Sequence, residues 1–127
     1  MSEVVLDASA LLALLSDEPG AGDVAAALPS AVISAVNLSE VVAKLSDAGM
    51  NAPTIEEALQ ELELEIAPFG TEDAYSAGLL RPATRTAGLG LGDRACLALA
   101  DRIGAPVLTA DRRWTELGLA TTVRAIR

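Results

Sequence analysis

The sequence contains no histidine. That absence excludes Ser–His–Asp and Cys–His catalysis, a histidine general base and every histidine-ligated metal site. Cys96 is the sole cysteine, which also excludes an internal disulfide and a cysteine-built zinc site. Phenylalanine, tryptophan and tyrosine occur once each, so alanine, leucine, valine and isoleucine must fill the core. Lysine occurs once, as Lys44, and the other basic residues are arginines. Mean hydropathy is positive. Even so, no apolar run approaches the ~20 residues of a spanning helix, because Asp, Glu, Pro or Gly interrupts each one. No basic segment precedes an apolar one at the N-terminus, so no signal peptide is expected and the protein reads as soluble and cytoplasmic. Any chemistry must run on carboxylates, hydroxyls, guanidinium groups, one ammonium or a bound ion.

At 127 residues the chain suits a single domain, 1–127, with a substantial core. A formal charge of −9 argues against diffuse, charge-driven binding to nucleic acid. It leaves room for a local basic patch, suits a basic partner protein, and raises the prospect that some acids are there to be neutralised by a cation.

Residues 3–6 read as a short buried strand and 8–16 as a helix closed by the turn "DEPG". A short helix at 21–28 ends at Pro29, a strand covers 31–36, and a helix over 38–49 stops at Gly49. In 54–64, Ile55, Leu59 and Leu62 fall at helical spacing with Glu56, Glu57, Glu61 and Glu63 outside. A brief strand follows at 64–67, then a longer helix at 71–87 in which Pro82 forces a kink or break. The helix at 92–104 carries Cys96, Leu99, Ala100 and Ile103 on one stripe. A strand at 106–110, a helical turn from Arg112 to Leu117 and a last strand at 121–126 complete the chain. Strands that are apolar on both faces and alternate with helices predict an α/β fold: a three-layer α/β/α sandwich around a mostly parallel sheet of four to five strands. Ligand sites in such sheets lie beyond the carboxyl ends of the strands, at helix N-termini.

Two strands hand over directly to a carboxylate: "VVLDAS" at Asp7 and "VLTADRRW" at Asp111. Two further acids, Glu40 and Asp93, open helices. Taken singly, each has a structural explanation. Asp7 and Asp111 suit helix N-caps, Glu40 suits a capping box with Asn37 in "NLSE", and Asp93 complements a helix dipole. Taken together, all four are expected at one rim of the sheet, where they repel one another unless a cation is present. Oxygen-only ligation suits Mg2+ or Mn2+. Such an ion polarises a phosphoryl oxygen and lowers the pKa of a bound water, which would offset the missing histidine base.

On these residues the chain resembles the PIN-domain ribonucleases, and within them the VapC-type toxins of bacterial toxin–antitoxin pairs. The resemblance is carried by "VVLDASALLALL", "ISAVNLSEVV" and "GLGLGDRACLALADRIGAPVLTADRRW", together with the closing strand, and covers essentially the whole chain in order. It implies a PIN-like fold and an endoribonuclease that attacks an RNA phosphodiester with a metal-activated water, leaving a 5′-phosphate. It makes Asp7, Glu40, Asp93 and Asp111 the acidic site for Mg2+ or Mn2+, with Glu40 either ligating or orienting the water. It sets Ser9 and Thr109 at the rim, although turn and strand-end hydrogen bonding would explain both equally. It further implies a homodimer and an antitoxin that lays a segment across the site and inserts a basic residue among the acids.

Arg94 and Arg112 are the arginines proposed to face the RNA, since guanidinium groups grip phosphates bidentately; pairing with surface acids is the alternative. "GLGLG" (88–92) lacks the lysine and spacing of a phosphate loop, so Gly88 is read as a helix end and Gly92 as easing the start of the next helix. Asp101 lies about 80° around the helix from Asp93 and is expected in solvent. Asp73 caps or opens the 71–87 helix without chemistry. Helices 8–16, 38–48 and 54–64 carry more Leu and Val than one small core needs, and so predict a subunit or partner interface. Two other functions fit the same acids: an aspartate-based phosphotransferase with Asp7 as nucleophile, and a non-enzymatic module whose acids receive a basic peptide.

Overall fold

The structure is a computed structural model that describes residues 2–127. Five strands form one sheet: β1 (Val4–Leu6), β2 (Ala31–Ser34), β3 (Glu65–Ala67), β4 (Val107–Thr109) and β5 (Val123–Ala125). Their order is β3-β2-β1-β4-β5 and every pairing is parallel. The helices are α1 (Ala8–Leu15), α2 (Ala21–Ala27), α3 (Ala35–Asp47), α4 (Ala52–Gln60), α5 (Thr71–Leu79), α6 (Arg81–Thr84) and α7 (Leu91–Ile103). Short 3-10 turns occupy Leu28–Ser30 and Arg112–Glu116. The three-layer sandwich follows from the sequence pattern, and the sheet is wholly parallel with five strands.

Alternation along the strands divides the core into two layers. Val5, Val32 and Val107 point to one face, where Cys96, Leu97, Leu99 and Ala100 of α7 and Trp114 cover them. Val4, Leu6, Ala31 and Leu108 point to the other, against Ala10 and Ala13 of α1 and Val24 of α2. Ile33 joins Leu11, Val41, Leu45 and Ile55, which packs α1, α3 and α4 together. Burying both faces of the central strands requires the unbroken apolar runs that mark β1, β2 and β4. Edge strand β3 is largely exposed, with Ile66 41% accessible. Among the described residues, no helix is long and apolar enough to cross a membrane.

Several boundaries differ from the sequence pattern for identifiable reasons. Strand β2 ends at Ser34 rather than 36, because the Ser34 hydroxyl accepts from the Val36 N–H and starts α3 there. Helix α4 begins at Ala52, where Asn51 caps Thr54 N–H and Pro53 sits in the first turn. The 71–87 segment breaks at Leu80, since Pro82 has no N–H to donate. Residues Cys96, Leu99 and Ala100 are buried as expected, whereas Ile103 on the same stripe is 36% exposed.

Candidate active site

The strand order reverses direction between β1 and β4: the chain builds outward through β2 and β3 on one side, then through β4 and β5 on the other. That switch point opens a crevice at the carboxyl ends of β1 and β4. A cavity of about 240 Å3 lies there, lined by Asp7, Ser9, Leu12, Glu40, Lys44, Asp93, Asp111 and Trp114 among others. Four carboxylates from four separate elements thus face one space.

Asp7 is 4% exposed and caps α1. Its Oδ1 accepts from the Ala10 N–H at 2.8 Å and from the Ser9 hydroxyl at 2.7 Å, while Oδ2 accepts from the Thr109 hydroxyl at 2.6 Å. Burial nonetheless pushes its pKa above the ordinary carboxylate value; the hydrogen bonds oppose that shift and the charge of Asp93 adds to it. The two hydroxyls serve both strand ends at once. The Ser9 hydroxyl accepts from Ala110 N–H at 2.9 Å, and the Thr109 hydroxyl accepts from Asp111 N–H at 3.0 Å. Both alternatives weighed for Ser9 and Thr109 are therefore present together, since each completes a strand end and each holds Asp7.

Asp93 occupies the first turn of α7, where its Oδ2 accepts from the Gly90 N–H at 3.2 Å. Burial raises its pKa, and Asp111's charge adds to the rise, against lowering by the Gly90 hydrogen bond, Arg113 and Arg94. Below it, the wholly buried Cys96 thiol is pushed well up by desolvation and then by the charges of Asp7, Asp93 and Glu40, which leaves it protonated and inert.

Glu40 is not part of a capping box. Asn37 lies inside α3 rather than at its cap, is 1% exposed, and donates through Nδ2 to Glu40 Oε1 and to the Gly92 carbonyl, both at 2.9 Å. Gly92 does more than ease the start of α7, because a Cβ built on it would collide with the Glu40 carboxylate.

Asp111 caps the 3-10 turn, accepting from Arg113 N–H at 3.0 Å. It is also gripped by the Arg113 guanidinium, through Nε to Oδ1 at 3.0 Å and Nη2 to Oδ2 at 2.7 Å. That fork holds its pKa below the ordinary value. The two arginines expected to face RNA differ. Arg94 is partly buried, with Nη1 donating to the Ala77 carbonyl at 3.0 Å, so it ties α7 to α5. Arg112 is exposed, and among the described residues its guanidinium has no hydrogen-bond partner. Asp101 is exposed as expected. Asp73 is buried and does more than open α5, for it receives the Arg102 fork at 2.9 and 3.2 Å.

Four residues of this site escaped sequence reasoning in their present roles. Lys44 stands one helical turn beyond Glu40 and lines the same cavity; among the described residues it forms no ion pair. Asn37, one turn before Glu40, and Arg113, two residues after Asp111, were readable only as neighbours in spacing. Trp114 contributes a wall.

The lining fits a hard cation. Its free donors are oxygens: among the described residues, Glu40 Oε2, Asp93 Oδ1 and the remaining lone pair of Asp7 Oδ2 have no hydrogen-bond partner. Among the described residues, no three acidic side chains are grouped closely enough to surround one ion. Any ion held there would bind through one or two of these carboxylates, with waters completing its shell.

No curated protein matches the sequence. Solved structures do. A chain of a toxin–antitoxin complex from Klebsiella pneumoniae aligns with a TM-score of 0.78 at 19% identity, covering 98% of each chain. One from DNA-bound VapBC of Salmonella typhimurium aligns at 0.73 and 18% identity over 100% of both. A third, from VapBC-1 of nontypeable Haemophilus influenzae, aligns at 0.74 and 17% identity over 97% of both. At these identities the likeness establishes the fold. The model of the PIN domain matches residues 4–119, nearly the full chain, and with it the crevice between β1 and β4 has its family: this protein belongs to the PIN domain proteins.

Proposed function

We propose that this chain is a divalent-metal-dependent endoribonuclease and the toxin of a toxin–antitoxin pair. The observation that carries the reading is the meeting of Asp7, Glu40, Asp93 and Asp111 in one cavity at the switch point, with Asp7 and Asp93 raised in pKa by burial and by like charge. One or two of Asp7, Glu40 and Asp93 would hold Mg2+ or Mn2+ directly and the others through its waters, and Asp111 would join this outer set once Arg113 releases it. A bound ion of this kind supplies charge stabilisation of a phosphoryl group and acidifies water.

The chain's own residues do the rest. Asp7, fixed by three donors, is the rigid member of the set. Glu40, held by Asn37 on one oxygen, keeps the other free to orient a water for in-line attack, leaving a 5′-phosphate on the product. Arg112 and Lys44 offer positive charge beside an otherwise anionic cavity, where a phosphate backbone must approach. Arg94 is occupied with α5, so it serves the scaffold rather than the RNA.

An antitoxin partner is supported by the complexes in which the structural neighbours were found. A groove of about 610 Å3 between α3, α4 and β3 presents Leu38, Val42, Ile55, Leu59, Leu64 and Ile66, rimmed by Glu56 and Glu63. It suits an apolar-faced segment with basic flanks, and it runs along the helix that carries Glu40. A second copy stays part of the reading, although the exposed Tyr75 and Leu79 of α5, 72% and 79% accessible, lie outside the helices expected to carry a subunit interface. The phosphotransferase reading is disfavoured because Asp7 is 4% exposed and both its oxygens already accept hydrogen bonds from the protein, which leaves little room for in-line attack on a phosphoryl group.

The decisive experiment incubates purified chain with end-labelled RNA and Mn2+ or Mg2+. Cleavage giving 5′-phosphate ends, lost with EDTA and in Asp93→Asn, supports the reading. Undiminished cleavage in either control, or none at millimolar metal, rejects it.

A further inference from the structure

We infer that Asn37 is a positioning residue of this site, fixing the Glu40 carboxylate over the first turn of α7; the inference rests on the nuclease reading and names what aligns its acids. Asn37 is buried on the inner side of α3, and its amide nitrogen divides two hydrogens between Glu40 Oε1 and the Gly92 carbonyl. Both partners accept only, so the orientation of the amide is determined: an oxygen there would face two oxygens.

The other half of that amide reveals its role. Among the described residues Asn37 Oδ1 is buried without a hydrogen-bond partner, an arrangement that costs stability. An apolar side chain of similar size would pack α3 against α7 without that cost. What it could not supply is the pair of donors. The stability forgone at Oδ1 is matched by a gain in placement, because Asn37 joins Glu40 to the backbone residue immediately before Asp93.

Gly92 makes the opposite half of the fitting. It is buried in the first turn of α7, and any side chain there would enter the space that the Glu40 carboxylate fills. Left to itself, an exposed glutamate samples many rotamers. Held by Asn37 and seated on Gly92, Glu40 and Asp93 share one rigid frame although they come from different helices.

The test uses kinetics of the full chain with Mn2+ and a model RNA. Asn37→Ala and Glu40→Gln are each expected to lower kcat, Asn37→Ala by roughly 10- to 100-fold, with KM nearly unchanged. In the Glu40→Gln background, Asn37→Ala should add no more than about twofold, because a residue acting through another has no effect once that other is gone. Gly92→Ala, which leaves Asn37 intact and favours helix, should match Asn37→Ala. Asn37→Asp, equal in size but unable to donate, should fall with it. Losses that multiply in the double variant overturn the inference, as does wild-type kcat in Asn37→Asp. Should the wild-type chain not cleave RNA, the nuclease reading falls and placement is read directly. A crystal structure of Asn37→Ala with Glu40 still seated over Gly92 overturns the inference, and one with Glu40 displaced supports it.

Discussion

The Thr109 hydroxyl donates to Asp7 Oδ2 at 2.6 Å across 102 residues of sequence, and so closes the ends of β1 and β4 over the site. Thr109 is fully buried and also accepts from Asp111 N–H. Thr109→Val keeps the shape but leaves a buried carboxylate short of a donor and a backbone N–H short of an acceptor. The expected cost is about 1–3 kcal/mol, and Thr109→Ser should recover most of it. Urea unfolding measures both, and a valine variant within ~0.5 kcal/mol of wild type would contradict the assignment.

Asp7 and Asp93 are held above their ordinary pKa of 3.8, which sets the sign of a pH dependence. A raised carboxylate binds its proton more tightly folded than unfolded. Its contribution to stability is complete below pH 3.8 and is lost as pH rises through the folded value. Metal-free protein should therefore be weaker at pH 7 than the same chain with Asp7→Asn, measured by thermal unfolding. Mn2+ should reverse the order. At ten times its Kd, a ligand of the folded state adds about 1.4 kcal/mol, or roughly 5 °C in Tm, and Asp7→Asn should lose most of that gain along with cleavage.

Arg113 occupies both oxygens of Asp111. Arg113→Gln should return the Asp111 carboxyl toward its ordinary pKa and lower the Mn2+ concentration giving half-maximal stabilisation. An unchanged metal midpoint would mean that Asp111 takes no part in holding the ion.

Asp73 and Arg102 tie α5 to α7 away from the acidic cavity. Asp73→Asn breaks a partly buried fork and should cost about 1–3 kcal/mol while leaving RNA cleavage at wild-type rate in the cold. Loss of cleavage without loss of stability would place Asp73 in the chemistry, contrary to its position.

The sheet and most helices were legible because each rests on a local period. Apolar runs at 4–6, 31–33 and 107–108 are unbroken since both faces are covered. The misplaced strand and helix boundaries share one cause, competition between signals within a few residues. "AVISAV" looks like strand through 36, yet Ser34 offers its hydroxyl to Val36 N–H and turns the chain into helix first. That shift moved Asn37 from a cap to the interior of α3 and changed what Glu40 could touch.

By itself, the order of residues determined the fold class and put Asp7 and Asp111 at strand ends, because periodicity and strand-end carboxylates are properties of short windows. It also ruled out histidine and disulfide chemistry by composition alone. Tertiary structure decided the partners: Asn37 reaching Gly92 across 55 residues, Thr109 reaching Asp7, and Lys44 facing the acids of three other elements. Those contacts arise only when β4 docks beside β1 rather than beyond β3, and side-chain rotamers then settle to fill the crevice. No local pattern encodes that choice, since strand order is set by the packing of the whole sheet.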